Sequence, residues 1–413
     1  MTLMRRVLIV GVAVASFSVL TDAQRPATDW TQWRGPNRDG VIAGFAAPAS
    51  WPERLNQRWK VEVGLGYATP IVVGNRIYMF SRQGENETMS ALDADNGKVL
   101  WQTGYAAPFT MNSAAARHGA GPKSTPAFAN GRLYSIGMTG VVTALDAASG
   151  KQLWQKPGST VVPMYTSHAF SPIVDGNQVI FHVGGHNMGA LTAFDVNTGN
   201  VKWSWNGDGP GYGSPVIANL GGTRQVVALT QQKLVGVDAS NGMLLWEVPY
   251  VVQSTTSSLT PIVYGQTVIV GGNGHPVEAY VPARQGNQWV ANKVWENMDV
   301  TMRLSNGVIV RDMLFSLSTR NMGQYFALDA KTGKTLWTSA GRQAEQAAIQ
   351  TAGDLVFSLE NNGELVVSRV TPTASEPFRR YKLAEAETWA QPVISGNRVL
   401  VKDLSSLALW TLN

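Results

Sequence analysis

The apolar positions of this chain fall in short β-branched and aromatic runs, and its polar positions gather in Gly-Asn, Asn-Gly and Asp-Gly steps between them. One pattern recurs as "ATPIVVGNRIYMF" (68–80), "STPAFANGRLYSI" (124–136), "FSPIVDGNQVIFH" (170–182), "LTPIVYGQTVIVG" (259–271) and "AQPVISGNRVLVK" (390–402), with a longer relative at 213–229. Such runs around a two-residue turn are the signature of a β-hairpin. A second pattern follows as "ALDADNGKVLW" (91–101), "ALDAASGKQLW" (144–154), "AFDVNTGNVKW" (193–203), "GVDASNGMLLW" (236–246) and "ALDAKTGKTLW" (327–337). One unit therefore reads strand, turn, strand, loop, strand, turn and a Trp-bearing strand, and no helical periodicity of useful length interrupts the series.

The Trp of the second pattern serves as a ruler. Trp59, Trp101, Trp154, Trp203, Trp246, Trp295, Trp337 and the matching Tyr381 lie 42 to 53 residues apart, a period that belongs to propellers and arrays. A four-stranded unit cannot bury both of its faces alone, so the units must stack, and ring closure leaves few open edges. The expected fold is all-β: an eight-bladed β-propeller of four-stranded antiparallel blades. The blades are expected at 69–103, 124–156, 170–205, 213–248, 259–297, 304–339 and 347–383, with an incomplete eighth at 390–413. The missing strand of blade eight is expected from "RWKVEV" (58–63), which has no blade of its own.

The recurrent Asp of the second pattern reads as a turn residue. Five equivalent carboxylates at five turns around a ring cannot converge on one substrate, whereas acid–base chemistry needs groups within about 3 Å of a shared atom. An Asp before a tight turn accepts hydrogen bonds from the next backbone amides. The "DADNG" at 93–97 imitates a calcium loop, but Gly104 stands where an EF-hand needs its bidentate Glu. "HVGGH" (182–186) has zinc-like spacing only on a helix, and its Gly-Gly argues for a turn, so no metal site is expected.

Ahead of the repeats, Arg5 and Arg6 precede an apolar run from Val7 to Leu20 and the small-residue stretch Thr21-Asp22-Ala23. This is the layout of a signal peptide with cleavage expected near Ala23. The run is short of the about 20 residues a spanning helix needs, and no later segment could cross a membrane. The expected organisation is a signal peptide at 1–23, an extension at 24–54 and the propeller at 55–413, in a periplasmic or secreted bacterial protein. There is no Cys among the 413 residues, so stability must come from packing and closure rather than from disulfides. The formal charge of +5 is spread over scattered Lys and Arg, which gives no argument for nucleic acid.

The "ALDAxTGKxLW" units with their "(S/T)PxVxxG" strands resemble the PQQ-type propeller repeat over roughly residues 55–413. That family includes quinoprotein alcohol dehydrogenases and the propeller lipoprotein of the outer-membrane β-barrel assembly machinery. The resemblance implies the fold strongly and the function weakly. Quinoprotein dehydrogenases carry an adjacent Cys pair against the quinone, lid insertions, and a carboxylate set for calcium. This chain has no Cys, and none of the family's catalytic residues can be placed on it. It also has no Cys to accept a lipid. The segment "DWTQWRGPNRDGV" (29–41) resembles one found ahead of such propellers. In it Trp30 and Trp33 are expected to anchor the extension to the ring's outside or base, with Arg34 and Arg38 as structural turn residues.

A ligand site in a propeller lies at the channel mouth, which the residues just before each innermost strand surround. Three residues before the Pro of each "(S/T)P", or its equivalent, stand Tyr67, Lys123, Ala169, Tyr212, Ser258, Arg303, Glu345 and Trp389, with His168 beside Ala169. This ring is chemically varied, as a binding site on a symmetric scaffold requires. The candidate ligand-binding residues are Tyr67, Lys123, His168, Tyr212, Arg303 and Trp389, suited to a small planar or anionic ligand. The long connection 104–123 feeds the same mouth with Arg117 and His118 at its tip. Two functions stand open. The preferred one is a monomeric, non-catalytic module that binds a protein, peptide or saccharide and needs no cofactor. The alternative is a quinone-dependent oxidoreductase using PQQ and calcium in a simplified site.

Overall fold

The computed structural model describes residues 29–159, 167–253 and 257–412; the expected signal peptide lies outside these residues. The strands form eight separate four-stranded antiparallel sheets, the eight blades of a propeller. In blade 1 the strands are Ile71–Val73, Arg76–Gln83, Asn86–Asp93 and Val99–Ala106, running in order from the axis outward. Blades 2 to 7 repeat that order. Blade 8 is made of Val393–Ser395, Arg398–Lys402 and Ser406–Thr411, and its outermost strand is Asn56–Glu62 from the other end of the propeller. This strand pairs antiparallel with Ser406–Thr411, from Asn56 opposite Thr411 to Glu62 opposite Ser406.

The repeated residues are the parts of an inter-blade clasp. In each turn the Asp carboxylate accepts from the amides ahead of it: Asp93 from Asp95 and Asn96, Asp146 from Ser149, Asp195 from Asn197 and Thr198, Asp238 from Ser240, and Asp329 from Lys331 and Thr332. The carbonyl just after that Asp then receives the indole N–H of the preceding blade's Trp. Trp101 donates to Ala147 at 3.3 Å, Trp154 to Val196 at 3.2 Å, Trp203 to Ala239 at 3.1 Å and Trp295 to Ala330 at 3.2 Å. At the seam Trp59 donates to Ala94 at 3.2 Å, so the closing junction uses the same clasp as the others.

The Gly of each turn completes the clasp. Gly150 has φ 74°, and a Cβ there would stand 2.4 Å from the ring of Trp101. Gly97, Gly199, Gly242 and Gly333 meet Trp59, Trp154, Trp203 and Trp295 in the same way. The residue must therefore be Gly for two reasons, a positive φ and a flat seat for the neighbour's indole. Blade 5 lacks this turn, and there Trp246 donates back within its own blade to Gln225 at 2.7 Å. Instead a long hairpin, His275–Gln285 and Gln288–Asn297, brings Trp289 against Gly221 of blade 4. Between blades the inner strands also pack apolar faces together; Ile180, Leu191 and Ala193 of blade 3, for example, pack with Val226, Val235 and Val237 of blade 4.

The hydroxyl of each "(S/T)P" forms a second tie, close to the axis. Thr125 Oγ1 accepts from Thr69 N–H, Ser171 Oγ from Thr125 N–H, Ser214 Oγ from Ser171 N–H and Thr260 Oγ1 from Ser214 N–H, all at 2.9–3.1 Å. Thr69 Oγ1 in turn accepts from Gln391 of blade 8 at 3.1 Å. These bonds satisfy buried amides that the sheets leave unpaired.

The sequence suggested that the extension lies on the ring's outside or base; it threads the channel instead. Trp30 bridges Val72 of blade 1, Thr31 accepts from Phe128 of blade 2, and Ile42 donates to Thr351 of blade 7. Between these, Arg38 donates to Ser171, Pro172 and Pro215 carbonyls of blades 3 and 4. Arg34 donates to Gly307 O at 2.6 Å and to Asn306 O at 3.5 Å in blade 6. The physical reason is that the inner strands start with free carbonyls at the axis, and a guanidinium offers five donors in a rigid fork to satisfy them. Burial pushes Arg34 down to about 10 and Arg38 down to about 9, so both remain cations at neutral pH. Phe45 and Trp51 then pack on Phe357 and Phe378 of blade 7 as the chain runs outward to the strand Asn56–Glu62.

Candidate functional site

At the end of the channel opposite the Asp turns lies a cavity of about 500 Å³. Trp33 of the threading segment lines it, held by an indole N–H donated to Thr260 Oγ1 at 3.0 Å. The cavity is therefore a well closed by the chain's own extension. Its walls carry Tyr67, Lys123, Tyr212, Arg303 and Trp389, with Ser258, Asn306 and Gln346 between them.

The structure thus brings five of the six candidate residues together. The sixth, His168, is corrected: it is buried behind the wall, with Nε2 2.8 Å from Gly184 O and Nδ1 3.4 Å from Met138 O. Ala169 occupies the wall, and His168, one position earlier, turns into the contact between blades 2 and 3. Burial lowers its pKa below the ordinary imidazole value. Sequence reasoning missed Trp33 and Gln346. For Trp33 the signal was the Trp-Arg-Gly segment itself, whose place in the channel no local pattern gives. Gln346 directly follows Glu345 in a blade without the "(S/T)P" landmark.

The connection after blade 1 covers part of the mouth. It carries a short 3-10 turn, Ser113–His118, capped by Asn112, whose side chain accepts from Ala114 N–H. Arg117 reaches Glu345, just ahead of blade 7, at 2.7 Å, with both side chains half exposed. His118 packs edge-on to Trp389 with ring centroids 4.8 Å apart, and Arg117 lies 5.7 Å over the same indole. At the base of the loop Lys123 Nζ donates to the carbonyls of His118, Gly119 and Gly121 at 2.8–2.9 Å, and lies 5.0 Å over the Tyr67 ring. Burial, with help from Lys402 and Arg82, pushes Lys123 down to about 7. Burial and the nearby Glu387 push Tyr67 up to about 12.

Arg303 and Gln346 both bring unpaired polar atoms to the wall. Arg303 has no hydrogen bond or ion pair among the described residues, and its guanidinium is exposed. Gln346 is 5% exposed, and its Oε1 has no hydrogen-bond partner. No Asp or Glu lines the cavity. The nearest carboxylates are engaged on the rim, Glu345 with Arg117 and Glu387 with the Trp389 indole N–H at 3.0 Å. A metal-bearing quinone needs hard oxygen donors in its pocket, so these walls do not fit the cation of the dehydrogenase reading. Among the described residues no three His, Asp or Glu side chains are grouped as a metal would require.

Comparison with known proteins places this architecture. The family profile described as outer membrane protein assembly factor BamB matches residues 85–339 and 290–372. The chain belongs to this family of PQQ-like repeat propellers. It is 28% identical over 201 residues to the outer membrane protein assembly factor BamB of Yersinia pestis, covering 46% of this chain and 47% of the relative. It is also 28% identical over 163 residues to the lanthanide-dependent methanol dehydrogenase of Methylacidiphilum fumariolicum (strain SolV), covering 38% of this chain and 26% of that enzyme. The chain thus spans about half of the first relative and about a quarter of the second. Among solved structures, BamB from Moraxella catarrhalis superposes with a TM-score of 0.59 at 16% identity, covering 86% of this chain and 99% of that one. At that identity the likeness concerns the fold alone.

Proposed function

We propose that the protein is an exported, non-catalytic binding propeller whose ligand, a protein segment, peptide or saccharide, is held at the channel mouth. The observation that carries this reading is the well of about 500 Å³ with aromatic walls, an unpaired cation and no lining carboxylate. Aromatic side chains and a few convergent polar groups are what small-molecule and peptide sites are built from. The repeated carboxylates are committed to turns, which leaves no paired acid and base in the well. The similarity to outer membrane assembly factors supports a binding role outside the cytoplasm. The absence of a helix long and apolar enough to cross a membrane among the described residues is compatible with it.

The test uses the fluorescent aromatic sulfonate ANS as a probe of the mouth. A saturable site that is lost in Trp389→Ala and Arg303→Ala, with the far-UV spectrum unchanged, supports the reading; a site indifferent to both variants, or no site, refutes it. The same protein mixed with PQQ and calcium is expected to show neither a bound-quinone absorbance nor alcohol-dependent dye reduction. Turnover there would establish the oxidoreductase instead.

A further inference from the structure

We infer that the mouth takes a singly anionic, hydroxylated ligand of the sugar-acid class, with its carboxylate on Arg303, a hydroxyl donated to Gln346 Oε1 and its ring against the Tyr67 and Trp389 side. This deepens the proposed function and rests on it. The argument begins with what the wall has left over. Of the two cations that line the well, Lys123 already gives all three of its N–H bonds to carbonyls of its own loop. Arg117 on the rim is paired with Glu345. Arg303 alone keeps its planar fork unspent, which matches one carboxylate rather than several.

The second leftover is of opposite sense. A buried amide oxygen without a partner costs about 1–3 kcal/mol, and Gln346 Oε1 is such an oxygen, on a residue that lines the cavity. It calls for a donor, so a ligand that only accepts hydrogen bonds leaves it unsatisfied. Ser258, a wall residue with no hydrogen bond among the described residues, adds a hydroxyl that both donates and accepts. Tyr67, 6% exposed, and Trp389 lie 6.3 Å apart between ring centroids at an interplanar angle of 54°. Two tilted rings form a shallow corner suited to the apolar face of a puckered ring better than to a flat stack. The field favours an anion as well. Arg34 donates to the carbonyl of the wall residue Asn306, and neither it nor Arg38 has a carboxylate bonded to its guanidinium.

The test is calorimetric titration of the full mature chain with D-galacturonate and D-glucuronate, with D-galactose and benzoate as controls. At least one uronate is expected to bind about tenfold or more tightly than galactose and to displace ANS. Arg303→Ala, an exposed site that leaves folding intact, is expected to remove that preference. Gln346→Leu is expected to weaken the uronate and leave benzoate unchanged. Equal binding of galactose and uronate, tighter binding of benzoate, or uronate binding unaffected by Arg303→Ala overturns the assignment. If ANS occupies the mouth in a Trp389-dependent way and neither uronate displaces it, the ligand class is wrong while the binding reading stands. If ANS finds no mouth-dependent site, the binding reading itself has failed.

Discussion

The clasp side of the ring and the mouth side are built from the same eight units, yet they obey opposite rules. On the clasp side five Asp turns repeat one geometry, each with its Gly seating the neighbour's Trp and its next carbonyl accepting the indole N–H. On the mouth side the equivalent positions hold Tyr67, Lys123, Ala169, Tyr212, Ser258, Arg303, Glu345 and Trp389. Repetition on one side spreads the work of closure over five junctions, including the seam between the chain's two ends. Variation on the other lets a single ligand meet different groups around one well. The comparison shows why the most frequent residues of this chain explain its stability, while its chemistry has to be sought where the repeat fails.

That contrast can be broken most forcefully by truncating an indole on each side. Trp154→Ala in the clasp removes a buried ring and its bond to Val196. The expected cost is about 3–5 kcal/mol in denaturant unfolding, with ANS binding at the mouth retained. Trp389→Ala should do the reverse, costing about 1 kcal/mol or less and abolishing the ANS site. A smaller, cleaner comparison uses two glycines with nearly the same backbone. Gly150 and Gly131 have φ 74° and 73°, but only Gly150 has an indole within reach of a new Cβ. Gly131→Ala should cost about 1–2 kcal/mol for the left-handed backbone alone. Gly150→Ala should cost that and more, and the excess measures the seat.

A pH effect is also rooted at the mouth. Lys123 titrates near 7 when folded against an ordinary value of 10.5, so between those limits the unfolded chain binds the extra proton. Stability contributed by this site therefore rises as pH increases from about 7 to about 10. Lys402, pushed down to about 8 by burial, acts in the same sense. Lys123→Met should flatten the rise in part, read from unfolding midpoints across that range. Least of all in stability is Arg117→Ala, since an exposed ion pair contributes about 0–1 kcal/mol. Its expected signature is kinetic: faster association and dissociation of ANS, because the strap from Arg117 to Glu345 no longer bridges the mouth.

Much of this was legible in the residues, for physical reasons that differ from place to place. Hairpin turns and clasp turns are local, so Asn-Gly, Thr-Gly and the Trp at fixed spacing announced the blades, and the unpaired "RWKVEV" announced the seam. The varied ring before each "(S/T)P" likewise marked the mouth. The path of Trp30 to Ile42 was not legible, because threading a channel depends on free carbonyls contributed by five different blades. Nor was the burial of His168, since one step along an irregular connection decides whether a side chain faces the well or the blade contact. Gln346 escaped for a related reason: an orphaned acceptor is defined by what fails to surround it, and no pattern along the chain records that.

Native-state hydrogen exchange read by mass spectrometry tests the central contrast most directly. The account predicts that the amides of Asn56–Glu62 paired to Ser406–Thr411 are protected as strongly as those of the outermost strands in blades 1 to 3, while those of residues 107–121 exchange far faster. A seam that opens ahead of the other junctions, or a mouth loop as protected as the sheets, would contradict it.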